Sequence, residues 1–216
     1  MNNILFIGAH ADDLELSCGG TIRRFVKENK NVKIIIVSVS GYRDLYGRIS
    51  RTVEDNVSEA LSGLKTLGVQ QDNVIMLNYE TTKIPYSVEL IRDIERIIVE
   101  NDIQHVFTHY YFDTHQDHIN VSKSTITAAR YIDNIYFYEP LMPSGRGVIP
   151  FKPQLYIDIS EFIKDKIKAL KCHKSQYSKP QYGERWVNAV IARSLLRGFE
   201  CGTKYAEAFE IVRQKL

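Results

Sequence analysis

A chain of 216 residues, 44% hydrophobic and 25% charged, can bury one substantial core, so a single domain over residues 1–216 is expected. A formal net charge of +2 argues against a nucleic-acid or anionic-membrane binder, and no apolar stretch reaches the roughly 18–20 residues of a membrane helix. Three widely spaced cysteines (Cys18, Cys172, Cys201) form no CxxC pair, which predicts reduced thiols and a cytoplasmic location; no signal peptide is expected.

Residues 4–9 are a short apolar run without alternation, as expected of a strand buried on both faces. The run breaks into one imidazole (His10) and three carboxylates (Asp12, Asp13, Glu15) within six residues, and a helical pattern continues over 13–30. Residues 32–39 read as a second strand. The polar stretch 41–50, with Tyr42, Arg43, Asp44, Tyr46 and Arg48, is a loop long enough to wall a site. A helix is predicted over 51–67, closed by Gly68. A third strand at 74–77 precedes a helix over 87–100 whose Val88, Ile91, Ile94 and Ile98 form a core-facing stripe. Residues 105–109 are a fourth strand, 110–118 the loop leaving it, 117–129 a helix and 135–138 a fifth strand. The Pro- and Gly-rich stretch 141–153 reads as a flap. A sixth strand at 155–159 and helices over 160–171 and 184–198 follow, while 205–212 is equally compatible with strand or helix.

Alternating strands and helices predict an α/β fold, a Rossmann-like doubly wound, mostly parallel sheet with helices on both faces. In a 3-2-1-4-5 order, strands one and four are neighbours at the switch point, where such sheets bind ligands. The cluster from His10 to Glu15 follows strand one, and His115-Gln116-Asp117-His118 follows strand four.

His10 and Asp13, three apart at a strand-to-helix turn, can face one point. A third ligand, His115 or His118, completes three protein groups and leaves a fourth tetrahedral position for water, as in catalytic zinc sites. Imidazole with carboxylate suits zinc better than calcium. Asp12 points elsewhere and suits a base that takes the water's proton. A structural alternative exists: Asp12-x-x-Glu15 fits a helix capping box, and Asp117 can cap the helix that follows it.

These residues carry a resemblance. Ala9-His10-Ala11-Asp12-Asp13-Leu14-Glu15 resembles the AHPDDxE signature of the LmbE-like (PIG-L) N-acetylglucosaminyl deacetylases, and Thr108-His109 with Asp113-Thr114-His115-Gln116-Asp117-His118 resembles that family's TH…DxHxDH segment. Weaker matches include Arg51-x-x-Glu54, Leu67-Gly68-Val69, His173-x-Ser175-Gln176 and Tyr205-Ala206-Glu207-Ala208-Phe209. The resemblance implies one Zn2+ per chain on His10, Asp13 and His118, with Asp12 as general base. It also implies His115 over the reacting carbonyl or leaving nitrogen, and Asp117 orienting His115. The chain departs from the family at Ala11 and Gln116, where prolines stand, a change to loop rigidity rather than chemistry. Family members often form closed oligomers, so a homo-oligomer is implied.

The expectation is therefore a zinc-dependent hydrolase that removes acetyl from an N-acetylated amino sugar or conjugate. Two rivals are a metallohydrolase of another amide or ester on an antibiotic or thiol precursor, and a non-catalytic sugar-binding protein. Arg48 and Arg51 are expected to bind substrate, while Cys18, His105, His109 and His173 are expected to be structural. Asp117, two residues from His115, is expected to raise the imidazole's pKa and keep it charged.

Overall fold

The computed structural model describes residues 3–43, 46–141 and 147–215. In chain order the elements are β1 (Asn3–Gly8), α1 (Asp13–Lys27), β2 (Asn31–Ile36), β3 (Tyr42–Arg43), β4 (Ile49–Arg51) and α2 (Val53–Thr66). They continue with β5 (Val74–Met76), α3 (Val88–Glu100), β6 (His105–His109), α4 (Gln116–Ala128) and β7 (Asn134–Tyr138). The last are β8 (Leu155–Asp158), α5 (Ile163–Leu170), α6 (Lys174–Tyr177), α7 (Gly183–Cys201) and β9 (Ala206–Arg213).

Successive side chains of β1 enter different cores, as the period of a strand requires. Ile4 and Phe6 join a cluster with α1 (Leu14, Ile22), α2 (Leu64) and α5 (Ile163, Ala169). Leu5 and Ile7 join a cluster with α3 (Leu90, Ile94) and α4 (Val121, Ala128) on the opposite face. The sheet runs β5-β2-β1-β6-β7-β9-β8, so the predicted 3-2-1-4-5 order is its parallel part. β1 and β6 are parallel neighbours, and the chain leaves their carboxyl ends at the switch point.

Residues 205–212, ambiguous in sequence, form β9, which lies antiparallel between β7 and β8. The ambiguity has a physical source. Glu207 is 4% exposed, a charge in an interior strand that sequence pattern alone cannot accommodate. It accepts from the Gly20 and Thr21 amides of α1 (2.9 and 2.7 Å) and pairs with buried Lys166. These contacts splint a break in α1 at Cys18, whose backbone is non-helical. The carbonyls before the break are also met: Leu16 O accepts from Arg193 and Ser17 O from Lys166. A Cβ on Gly20 would stand 2.8 Å from Ile159, so that close approach requires glycine.

The helix predicted from residue 51 begins at Val53. Thr52 and Asp55 form a reciprocal capping box, leaving Arg51, expected in that helix, at the end of the β3–β4 hairpin instead. Among the described residues no helix is long and apolar enough to cross a membrane.

Candidate active site

The turn leaving β1 is closed by its own side chain: the His10 amide donates to Asp13 Oδ2 at 2.7 Å. This brings His10 and Asp13 to one point, and His118, in the first turn of α4, meets them there. His118 Nε2 lies 3.3 Å from Asp13 Oδ1 and 3.3 Å from His10 Nδ1, and His10 Nδ1 lies 3.5 Å from Asp13 Oδ2. Zinc bonds of about 2.0–2.1 Å arranged tetrahedrally have ligand–ligand edges of about 3.3–3.4 Å, so the three groups stand at the spacing of such a site, with the two imidazoles nearest to different oxygens of Asp13.

The outer nitrogens of both rings are held by carboxylates. His10 Nε2 donates to Asp117 Oδ2 at 2.9 Å, and His118 Nδ1 donates to Asp113 Oδ2 at 2.9 Å. Each bond fixes its tautomer and turns the unprotonated nitrogen of the neutral ring inward, as in carboxylate–histidine–metal arrangements. His109 was expected to be structural. Its Nε2, which accepts from the Ala9 amide at 2.8 Å, also stands 3.1 Å from Asp13 Oδ2 and so borders the site.

Without an ion, the converging groups favour protons. Burial opposes charge on His10 and His118, but the Asp13 carboxylate and the outer hydrogen bonds raise their pKa values to about 9 and about 10. Burial also opposes ionisation of Asp13, yet His118, His109 and His10 hold it well below the usual carboxylate range. Folded-state pKa values above the unfolded value mean that these histidines stabilise the metal-free fold fully below about pH 6.5. That contribution is lost as pH rises through about 9 and about 10. Chelator-treated protein should therefore melt at progressively lower temperature across this window, and the decline should be shallower in His118→Gln. Parallel declines in the two proteins would contradict the assignment.

His115 departs from expectation. Its Nδ1 accepts the Asp117 amide at 3.2 Å, so this ring, not the Asp117 carboxylate, caps α4. The Asp117 carboxylate is occupied by His10 and by the Thr82 and Ile84 amides (2.7 and 3.2 Å), where Thr82 sits at φ 69°. Asp117 thus orients His10 and a strained β-branched residue rather than His115. The His115 pKa is lowered, chiefly by burial and then by His118 and His10, so the charged His115 expected from sequence is corrected to a neutral ring with its proton on Nε2.

The capping alternative fails for Asp12 and Glu15. Among the described residues Asp12, at the N-terminus of α1, makes no side-chain cap bond, and it lines the cleft instead. Glu15 is fully buried, with Oε1 3.4 Å from His173 Nε2. His173, expected to be structural, is fully buried and pairs with this carboxylate, although neither ring nitrogen makes a hydrogen bond among the described residues.

The site opens into a cleft of about 560 Å³. Its far wall comes from the chain around α6 and α7, including Gln176, Lys179, Tyr182 and Trp186, residues to which the sequence reading assigned no role. The available signal was the weak His173-x-Ser175-Gln176 match. Arg51 lines the cleft at 7% exposure, and among the described residues its Nε and Nη1 lack hydrogen-bond partners. Arg48 is exposed and lies over the Tyr46 ring; it is not among the cleft-lining residues, which corrects its expected placement. Of the predicted flap, Leu141 lines the cleft, while 142–146 lie outside the described residues. Cys18 is buried in the core, as expected.

Comparison with known proteins places the site in context. The PIG-L family, described as GlcNAc-PI de-N-acetylase, matches residues 5–129. An uncharacterized deacetylase of Escherichia coli, YaiS, is 33% identical over 179 residues, covering 80% of this chain and 90% of that protein. Diacetylchitobiose deacetylase of Thermococcus kodakarensis is 23% identical over 98% of this chain and 84% of its own length. Among solved structures, the conserved protein TT1542 of Thermus thermophilus superposes with a TM-score of 0.82 at 25% identity, covering 100% of this chain and 97% of that one.

Proposed function

This chain belongs to the PIG-L family of LmbE-like deacetylases, and from that premise we propose that it is a zinc-dependent hydrolase removing the acetyl group from an N-acetylated amino sugar or sugar conjugate. The observation that carries the reading is the inward convergence of His10 Nδ1, Asp13 and His118 Nε2 at 3.3–3.5 Å, with each imidazole backed by a carboxylate. In this reading those residues hold the ion, which supplies Lewis-acid polarisation of the acetyl carbonyl when bound.

The chain's own groups carry the proton steps. Asp12, beside a ligand and free of capping duty, removes a proton as water adds to the acetyl carbon. The Nε2–H of neutral His115 donates to the oxygen that gains charge, so His115 serves without being protonated. The C–N bond then breaks, and Asp12 returns its proton to the leaving amine. Asp117 positions His10 rather than taking part in these transfers.

Acetate release from a panel of N-acetylated amino sugars and glycosides, measured with and without chelator, tests the reading. Chelator-sensitive release from at least one supports it; release unaffected by complete metal removal overturns the metal dependence. Arg51 is assigned to substrate binding. A buried guanidinium whose Nε and Nη1 lack partners among the described residues gains most from an acceptor on the ligand, and charge-assisted hydrogen bonds contribute about 1.5–3 kcal/mol. Arg51→Ala should therefore raise KM on the order of ten- to a hundred-fold with kcat largely kept, while Arg48→Ala should leave both unchanged. A fall in kcat alone at Arg51 would contradict this assignment.

A further inference from the structure

The turn that carries Asp12 and Asp13 is held from outside its own helix. In an uninterrupted α1 the Gly20 and Thr21 amides would donate to the Leu16 and Ser17 carbonyls, four residues back. At the break, side chains from three other elements meet both pairs. Glu207 of β9 accepts from the Gly20 and Thr21 amides at 2.9 and 2.7 Å. Arg193 of α7 donates from Nη2 to Leu16 O at 2.8 Å, and Lys166 of α5 donates to Ser17 O at 3.2 Å. The two acids depend on this support to different degrees. Asp13 Oδ2 accepts from the His10 amide at 2.7 Å, so it is also fixed from the β1 side. Asp12 makes no side-chain cap bond among the described residues. Its carbonyl accepts from the Leu16 amide at 3.2 Å, and the Leu16 carbonyl is the one that Arg193 holds. The aim of Asp12 follows Leu16, and Leu16 follows Arg193.

Arg193 is itself braced. Its Nη1 donates to Glu139 O at 3.1 Å, and Arg197, one turn further along α7, grips the Glu139 carboxylate through Nε and Nη2 at 2.9 and 2.5 Å. Glu139 stands just past β7 and two residues before Leu141, which lines the cleft, as do Tyr182 and Trp186 at the start of α7. Arg193 is not among the cleft-lining residues. Its planar fork reaches two carbonyls at once, joining the turn of Asp12 to the end of β7 and to the helix that begins in the cleft wall. We propose, on the deacetylase reading in which Asp12 is the base, that Arg193 is a positioning residue for the proton transfer. It sets the aim of Asp12 through Leu16 and touches neither substrate nor metal.

Arg193→Ala and Arg193→Lys are compared with the parent as zinc-loaded proteins, using N-acetylglucosamine and N,N′-diacetylchitobiose as probes. Arg193→Ala should lower kcat on the order of ten- to a hundred-fold, the scale of misplacing a reacting group by about 1 Å. KM and bound zinc should stay at the parent's values. Arg193→Lys keeps a cationic donor and should recover part of the loss. Guanidinium chloride below denaturing concentration should raise kcat of Arg193→Ala several-fold, whereas sodium chloride should not. A loss caused by weakened folding would instead deepen in guanidinium. Amide exchange reads the same hold without substrate. The Leu16 amide, bonded to Asp12 O, should exchange faster in Arg193→Ala, while amides of 22–27, beyond the break, keep the parent's rates. Unchanged kcat in Arg193→Ala, a loss matched by zinc release, recovery in neither Arg193→Lys nor guanidinium, or uniformly faster exchange would each overturn the assignment. A parent enzyme that releases acetate from neither sugar would count against the deacetylase reading, and exchange at Leu16 would then decide the hold of Arg193 on the turn.

Discussion

Replacing Asp12 with Asn should lower turnover by about a hundred- to ten-thousand-fold, the usual contribution of a general base, while leaving the melting temperature almost unchanged. The two effects separate because of what Asp12 does not do. It stands at the start of α1, where an aspartate commonly accepts from the first-turn amides, yet among the described residues it makes no such bond. Asn keeps its size, and even a latent capping role would survive, since Asn caps as well as Asp. The removed property is the capacity to accept and return a proton. Turnover on a released-acetate assay, thermal melts and metal content should be measured on the same preparation. Full turnover in Asp12→Asn would remove the base assignment, and a lowered melting temperature with intact turnover would return Asp12 to a structural role.

The second large effect is expected at His118. His118→Ala should lose most of its bound metal and, with it, nearly all activity, because only two of the three inward donors remain. His115→Ala should keep its metal and still lose turnover on the order of a hundred- to a thousand-fold, as when a single donor to a developing oxyanion is removed. The geometry distinguishes the two histidines: His118 Nε2 lies within 3.3 Å of both Asp13 and His10, whereas His115 Nδ1 is engaged by the Asp117 amide. Asp113→Asn tests the same centre from outside. Weakening the partner of His118 Nδ1 should lower metal affinity about ten- to a hundred-fold. Metal analysis after dialysis decides; equal metal loss in His115→Ala and His118→Ala would overturn the ligand set.

The pattern of apolar runs and helical stripes was sufficient for the α/β class and for placing a histidine-acid cluster after each of two strands, while the 3-2-1-4-5 order that makes those strands neighbours was a supposition that the sheet bears out. Those features depend on local periodicity and on the way parallel strands must connect, and both are written along the chain. The spacing at strand ends singled out His10, Asp12 and Asp13 for the same reason, but it left His115 and His118 as alternatives; only the resemblance favoured His118, whose Nε2 the fold brings within 3.3 Å of His10 and Asp13. What the Asp117 carboxylate holds was not legible. Asp117 lies two residues from His115 and 107 from His10, and it bonds His10 because the sheet places β1 beside β6. Likewise residues 205–212 stayed undecided between strand and helix, because the groups that meet buried Glu207, Lys166 and the broken turn of α1, lie far from it in sequence. The Tyr182–Trp186 wall left no mark beyond two aromatics at helical spacing, because nothing local says which cleft a helix start will border. Hydrogen-bond partners and cleft walls are chosen by contacts between residues far apart in sequence, so only the tertiary structure decides them.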